Sequence, residues 1–467
     1  MDGSEAAGAY TVFDRGVYTA IENNVQPEAI GRDFTEWFPA YDGSLLDKGE
    51  MNEWLDDTIE TILACNSGHP LNVLELGRGS EMVLFNITKK LTSYLRLELS
   101  QTAVEFVART AGSIPDLANK VQVYQGTGTD LHALGSASPN LVVINSVAQY
   151  LPSRNNLFEI VEGLLNLDSV QTIFFGDVRS YALQRDFMVR KVLRKERKEV
   201  SRATVRDAMT ELAQAELELL VDPAFFTSRP NHFSNRIEHV EVLPKKMKAN
   251  NAAIIHLRNP DQSGGVQQQE MNEVRDEEWI NFMDHKMGSE SLLRRLEISH
   301  PVTVAVSNIP FSKTILERHV IDALDNGAWD DGTDWLSSVH QRKQNCRSLS
   351  AVDLVSLAQQ AGYQAATSWA RQHSQRGGLD AIFHSLPPSS GSSRVIFRLP
   401  TDHQGRKPST FSNQPLQQQA RQTIQQQLYG TLQAQIPSYM LPEDTVILEK
   451  FPMNADGVNR KALARLG

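Results

Sequence analysis

Cysteine is nearly absent: Cys65 and Cys346 are the only two in 467 residues. Two thiols cannot build a cysteine metal cluster, and they read as reduced packing residues rather than a disulfide, so no metal is expected. Long apolar runs are missing as well. None approaches the roughly 18 residues of a membrane span. Residues 1–10 are small and acidic rather than basic then apolar, unlike a secretory leader, which leads us to expect a cytoplasmic product. An excess of positive charge is also lacking. The formal net charge of −10 argues against nucleic acid as a partner, because affinity for that backbone comes from Lys and Arg neutralising phosphates. The length leaves room for two or three domains.

The most informative stretch is LNVLELGRGSEM, residues 71–82. An apolar run ends in Glu75, and Gly77 and Gly79 follow before a helical pattern. Glycines after a strand let backbone N–H groups approach a nucleotide without a Cβ in the way. A second apolar run, YLRLEL, ends at Glu98, where an acid can accept both hydroxyls of a ribose. A dinucleotide fingerprint counted from Gly77 needs glycine where Met82 stands, so nicotinamide cofactors are disfavoured. The shorter glycine loop of S-adenosylmethionine enzymes fits better, with Glu81 where its last glycine belongs.

Three further apolar runs end in polar residues: VQVYQGTGTD at Thr129 and Asp130, NLVVINSVAQY at Asn145 and Ser146, and VQTIFFGDVRS at Asp177. Helical stretches such as QTAVEFVART and NNLFEIVEGLLNL separate them. Five runs of this kind predict an α/β fold with a doubly wound, Rossmann-like parallel sheet whose polar residues gather at the strand carboxyl ends, where ligands bind.

Longer segments carry a resemblance. GRDFTEWFPAYDGS, LVVINSVAQYLPSR, IFFGDVRSYAL, ELLVDPAFFTS, VAVSNIPFSKTILERH and SWARQHSQRGGLDAIFH look like the N-methyltransferase domain of fungal nonribosomal peptide synthetases of the enniatin, beauvericin and cyclosporin type. The tail IPSYMLPEDTVILEKFPMNADGVNRKAL resembles the end of an adenylation domain, with Gly457 at the position of that domain's lysine. The resemblance implies a class I S-adenosylmethionine-dependent methyltransferase core over 31–259 after a lead-in over 1–30, with a helical lid over 181–220. A linker over 260–275, an accessory α+β piece over 276–400, a second joint over 401–412 and a small adenylation-type remnant over 413–467 complete the expected order. Without the adenylation lysine and large subdomain, amino-acid activation is not expected, and the chain is expected to act in trans rather than as a complete module.

Methyl transfer to an amine needs an unprotonated nitrogen held in line with the carbon–sulfur bond, and positioning supplies most of the rate. Asn145 is the residue whose carbonyl oxygen can orient the N–H. Its other reading is a cap on the next helix. Tyr150 and Gln149 complete either the cofactor wall or the acceptor pocket, or serve only as first-turn helix residues. Asp130 holds an adenine amino group or merely makes a turn. Thr129 and Ser146 flank the same cofactor site, with Glu75, Gly77, Gly79 and Glu98. Asp177 and Arg179 line the acceptor side or pair with each other. Arg371, His373 and Arg376 have no acid beside them in sequence and suggest surface or carrier docking.

Glu81 crowds the glycine loop and adds charge near the cofactor's carboxylate. In addition, Asn251 leads straight into AAIIHL, where the family carries a Ser-Ser-Tyr-Arg-Tyr-like run. Two readings remain from the residues: a methyltransferase acting on an amine of a carrier-bound aminoacyl or peptidyl thioester or of a released small molecule, with a nonribosomal peptide synthetase as partner, and a silent remnant that binds or scaffolds.

Overall fold

The computed structural model describes residues 31, 32, 34, 47–66, 70–77, 82–195, 200–245, 250–258, 271–326, 335–388, 394–442, 447, 452–454 and 457–463. The lead-in over 1–30, Gly79 and Glu81 lie outside them.

The chain enters through α1 (Lys48–Cys65), whose first turn is capped by the Asp47 carboxylate on the Glu50 N–H. It then alternates through β1 (Leu71–Leu76), α2 (Met82–Asn86), β2 (Leu91–Glu98), α3 (Gln101–Ser113), β3 (Val121–Gln125), β4 (Leu141–Asn145), α4 (Arg154–Leu165) and β5 (Thr172–Val178). Ser100 and Ser153 cap α3 and α4 from their side-chain oxygens, which is why each helix starts where it does. Two helices, α5 (Gln184–Lys195) and α6 (Arg202–Ala215), and the short α7 (Pro223–Thr227) lead to β6 (Ile237–Pro244) and β7 (Asn251–Leu257). The seven strands lie in the order β3-β2-β1-β4-β5-β7-β6. All five expected runs appear as parallel strands, and the two additional ones form an antiparallel ladder in which β7 also opposes β5. Only six residues separate β6 from β7, too few for a crossover, so these two strands pair antiparallel.

Apolar residues cover both sheet faces. Leu74, Val142, Ile173 and Phe175 pack with Leu157, Val161 and Leu164 of α4 on one side. On the other, Val73, Val143 and Phe174 pack with Trp54, Leu55 and Ile62 of α1 and with Phe106 and Val107 of α3. The strand order reverses between β1 and β4, and in open α/β sheets ligands sit outside the carboxyl ends at that point.

Within residues 276–400 lies a four-stranded sheet, β11-β12-β10-β9. It follows β8 (Met271–Glu273) and comprises β9 (Trp279–Asn281), α8 (Ser289–Ser299), β10 (Thr303–Ile309), α9 (Ile315–Asp325), α10 (Trp335–Asn345), α11 (Ala351–Gln360), β11 (Gln364–Ser368) and β12 (Leu379–His384). Its α9 and α10 share one apolar core with α5 and α6, through Val189, Val192 and Val205 against Val320, Leu324 and Val339. The helices over 181–220 are therefore braced by the accessory piece.

Both expected joints need correction. Met271–Glu273, placed in the linker, pairs in parallel with β13 (Ile396–Arg398). The segment 401–412 is pinned to the large sheet: the Asp222 N–H donates to Phe411 O at 2.9 Å, Arg406 Nη2 meets Asp222 at 2.6 Å, and Phe411 is buried in the main core. Polar composition hid these fixings because each is made by a few side chains to partners far away in sequence. The C-terminal portion contains α12 (Pro415–Gln435), the two-residue strands β14 (Met453–Asn454) and β15 (Gly457–Val458), which pair with each other, and α13 (Arg460–Leu463).

Candidate active site at the carboxyl edge of the sheet

Gly77 follows β1 with φ +92°, and a Cβ there would lie 2.6 Å from Val147. The backbone therefore turns left-handed in a space no side chain could enter, and the loop after β4 closes directly over it.

Below this turn lies a buried charge cluster. Tyr94 Oη donates to Glu75 Oε2 at 2.7 Å, and Arg96 Nη1 stands 3.5 Å from the same oxygen. Arg96 Nη2 also donates to Glu98 Oε2 at 2.7 Å, while the Ser100 N–H donates to Glu98 Oε1 at 3.2 Å. Burial pushes the Glu75 carboxyl up, with Arg96 and Tyr94 opposing. Glu98 is fully buried, so the acid expected to face a ribose is in this state engaged from below on both oxygens. Sequence reading missed Tyr94 and Arg96. Strand alternation was the available signal, since Tyr94, Arg96 and Glu98 share one face of β2 with period two.

At the end of β3, the Thr127 N–H and hydroxyl both donate to Asp130 Oδ2 at 2.7 Å, and these two bonds hold the Asp130 carboxyl below its usual value. Asp130 thus closes a turn in this loop, with the exposed Thr129 hydroxyl 2.8 Å from that of Thr127.

Asn145 ends β4, and its Oδ1 is buried with no hydrogen-bond partner. A Cβ on Gly176 would fall 2.0 Å from that oxygen, so the glycine of IFFGDV is what leaves room for it. Asn145 does not cap the following turn, Ala148–Tyr150, which has no side-chain cap. Ser146 and Asp177, one on each neighbouring strand end, both adopt positive φ (+56°). They are tied by Ser146 Oγ to Asp177 Oδ2 at 3.3 Å and by the Ser146 N–H to Gly176 O at 3.0 Å. Strain of this kind costs on the order of 1–3 kcal/mol per residue and clusters at working sites. Asn250 Nδ2 donates to Asp177 Oδ1 at 2.7 Å. Asn251, fully buried, has neither amide atom bonded. Gln149 Nε2 donates to Ser146 O, and Tyr150 is 42% exposed at the rim.

Arg179 does not pair with Asp177. It meets Glu216 at 2.7 Å and also Glu218, and it lies over the Phe187 ring. Arg179 and Phe187 help line a small crevice open to solvent, with Asp186, Arg190, Leu220 and Asn250. Burial, reinforced by Glu317, pushes the Asp186 carboxyl up to about 7. Arg371 and Arg376 are not isolated from acids as their sequence neighbourhood suggested. Arg371 grips Asp380 with two bonds of 2.7 and 2.8 Å, and Arg376 meets Asp322. The acids come from β12 and α9, which only the fold brings near.

No family model matches the chain. Over 97% of its length it is 50% identical to the nonribosomal peptide synthetase TES of Alternaria alternata, covering 9% of that protein. It is 44% identical to cyclosporin synthetase of Tolypocladium inflatum over 95% of its length (3% of that protein), and 40% identical to the beauvericin synthetase of Beauveria bassiana over 99% (15%). Over nearly its whole length the chain is similar to a segment of these fungal nonribosomal peptide synthetases. It spans less than a tenth of the first two of these relatives and about a seventh of the third. Among solved structures, magnesium protoporphyrin IX methyltransferase of Synechocystis with bound SAH aligns at TM-score 0.32 and 10% identity, over 45% of this chain and 84% of that one. A likeness at that level carries no weight here. Among the described residues no helix is long and apolar enough to cross a membrane.

Proposed function

We propose that this segment is an S-adenosylmethionine-dependent N-methyltransferase of fungal secondary metabolism. Its acceptor is an amine, presented on an aminoacyl or peptidyl thioester of a carrier domain or on a released small molecule. The observation that carries the reading is the Asn145 carbonyl oxygen, buried and without a donor at the carboxyl end of β4. An unpaired buried acceptor costs about 1–3 kcal/mol, and an amine N–H placed there would offset that cost.

In this reading the glycine turn at Gly77 supports a close backbone approach to the cofactor, and Glu98 and Asp130 are assigned to its ribose hydroxyls and its amino group. When bound, S-adenosylmethionine supplies a methyl group on a positively charged sulfur. The chain's part is to hold the acceptor nitrogen unprotonated with its lone pair forward. Asn145 accepts one N–H, and the Ser146–Asp177–Asn250 chain keeps the strained strand ends in place. Residues 181–220 form the lid over this edge, and 413–467 are read as the adenylation-type remnant.

A second reading, a silent segment that serves binding alone, has one observation in its favour: both Glu98 oxygens are already engaged. Transfer of labelled methyl from S-adenosylmethionine to an aminoacyl thioester of N-acetylcysteamine tests the choice. Transfer that falls with Asn145→Ala supports the enzyme. Cofactor binding without transfer to any amine supports the silent reading.

A further inference from the structure

Arg229 follows α7 and is only 5% exposed. Its guanidinium carbon lies 4.5 Å from the centre of the Phe225 ring and 5.0 Å from that of Phe158. Nε donates to Phe225 O at 2.8 Å and Nη2 to Ser228 Oγ at 3.3 Å, while Nη1 makes no hydrogen bond among the described residues. Arg154 stands beside it. It is the first residue of α4, one turn before Phe158, and helix side chains lean toward the N-terminus, so the Phe158 ring brings the two guanidiniums onto one surface. Arg154 is half-buried, and its Nη1 donates to Pro408 O.

Among the described residues neither guanidinium meets a carboxylate. The acids of this neighbourhood are spent elsewhere. Asp222 and Asp402 both go to Arg406, at 2.6 and 3.2 Å, and Asp402 also accepts from the Ser374 N–H at 2.9 Å. Burial, reinforced by Arg154, pushes the Arg229 guanidinium down to about 10, and no acid opposes the shift. Stacking and the Phe225 carbonyl account for one buried arginine. They do not account for a second one beside it at the positive end of a helix, where a cation is disfavoured.

We propose that Arg229 and Arg154 bind the phosphate group of a small anion, free or as a monoester. A guanidinium fork matches phosphate oxygens two at a time, and phosphate near neutral pH carries about −1.5 to −2, which the two cations together balance. Arg229 offers the outer side of its fork, since Nε and one N–H of Nη2 are already used. The two rings fix that fork before an anion arrives, so little side-chain freedom is lost on binding. Arg154 brings the second charge and also the segment over 401–412, which it holds through Pro408. A bound phosphate would therefore fasten that segment to α4 and α7. The site uses neither Glu98 nor Asn145, and it does not depend on the methyltransferase reading.

The test is calorimetric titration of the full chain with sodium phosphate and, in parallel, with glycerol 3-phosphate, at an ionic strength held constant with sodium chloride. The expected result is saturable binding of one phosphate group per chain, with a rise in melting temperature that chloride does not give. The tighter of the two probes distinguishes a free ion from a monoester. Arg229→Gln and Arg154→Gln should each weaken binding on the order of tenfold or more, because each removes a charged donor from the anion. Arg154 is the half-buried partner, so Arg154→Gln keeps the core and carries the test if Arg229→Gln does not fold. No saturable heat with either probe through the millimolar range, a melting shift equal to that of chloride, or unchanged binding in Arg154→Gln would each overturn the proposal and leave Arg229 a packing residue.

Discussion

Two buried charge clusters stand at opposite edges of the same sheet and are built from the same parts in different proportion. Near the glycine turn, one guanidinium, Arg96, serves two carboxylates, Glu75 and Glu98. At the far edge one carboxylate, Glu241, is served by Arg394 and flanked by two imidazoles. The first has acceptors to spare and suits a ligand rich in hydroxyl and amino donors. In the second the carboxylate is gripped on both oxygens by Arg394 and the imidazoles stack beside it, so the cluster is closed on itself. What a buried cluster can bind is thus set by which kind of atom is in surplus, not by how many charges it holds.

The largest effect should come from removing the shared cation. Arg96→Met leaves Glu75 and Glu98 buried together without their partner, and breaking such a cluster costs about 3–5 kcal/mol. Urea unfolding of the variant measures it. A midpoint equal to the parent's would mean that the cluster is not buried as described.

The far cluster should show itself through pH. Burial pushes the His256 imidazole down to about 4 in the folded chain against an ordinary 6.5, so the unfolded chain binds the extra proton between those values. Its contribution is complete above about 6.5 and is lost as pH falls toward 4, on the order of 3 kcal/mol in all. Burial pushes Glu241 up, but Arg394 and the two imidazoles outweigh it and hold the carboxyl well below its usual value, so acid costs further stability below that range. In His256→Gln, melting temperatures should vary less between pH 7 and 4.5 than in the parent.

How much of this was legible beforehand differs between the two edges. The glycine turn, the five parallel strands and Asn145 announce themselves in sequence because each is a local pattern: an apolar run, a glycine, a polar stop. The far cluster does not, since His239 and His256 are joined only by strand register, and Arg394 arrives from beyond the accessory sheet. Arg371–Asp380 and Arg406–Asp222 were hidden for the same reason. Tyr94 and Arg96 were readable, but a buried arginine looks like a surface one until its partners are known.

Smaller effects refine the near edge. Asn145→Ala should lower methyl transfer on the order of 10²-fold with cofactor affinity almost unchanged, because a contact made mainly in the transition state appears in kcat rather than in binding. Glu81→Gly removes a carboxylate from the glycine loop and should tighten cofactor binding by less than about fivefold, with the gain shrinking as salt is raised. Equal affinities at low salt would show that the charge at Glu81 does not reach the cofactor.

The central claim is that the acceptor-rich cluster below Gly77 is a cofactor site. Calorimetric titration of S-adenosylhomocysteine into the parent and into Glu98→Ala tests it most directly. The account predicts saturable one-to-one binding to the parent and loss of most of it in Glu98→Ala, with two ribose hydroxyls left unpaired. No heat with the parent, or equal affinity in the variant, would contradict it.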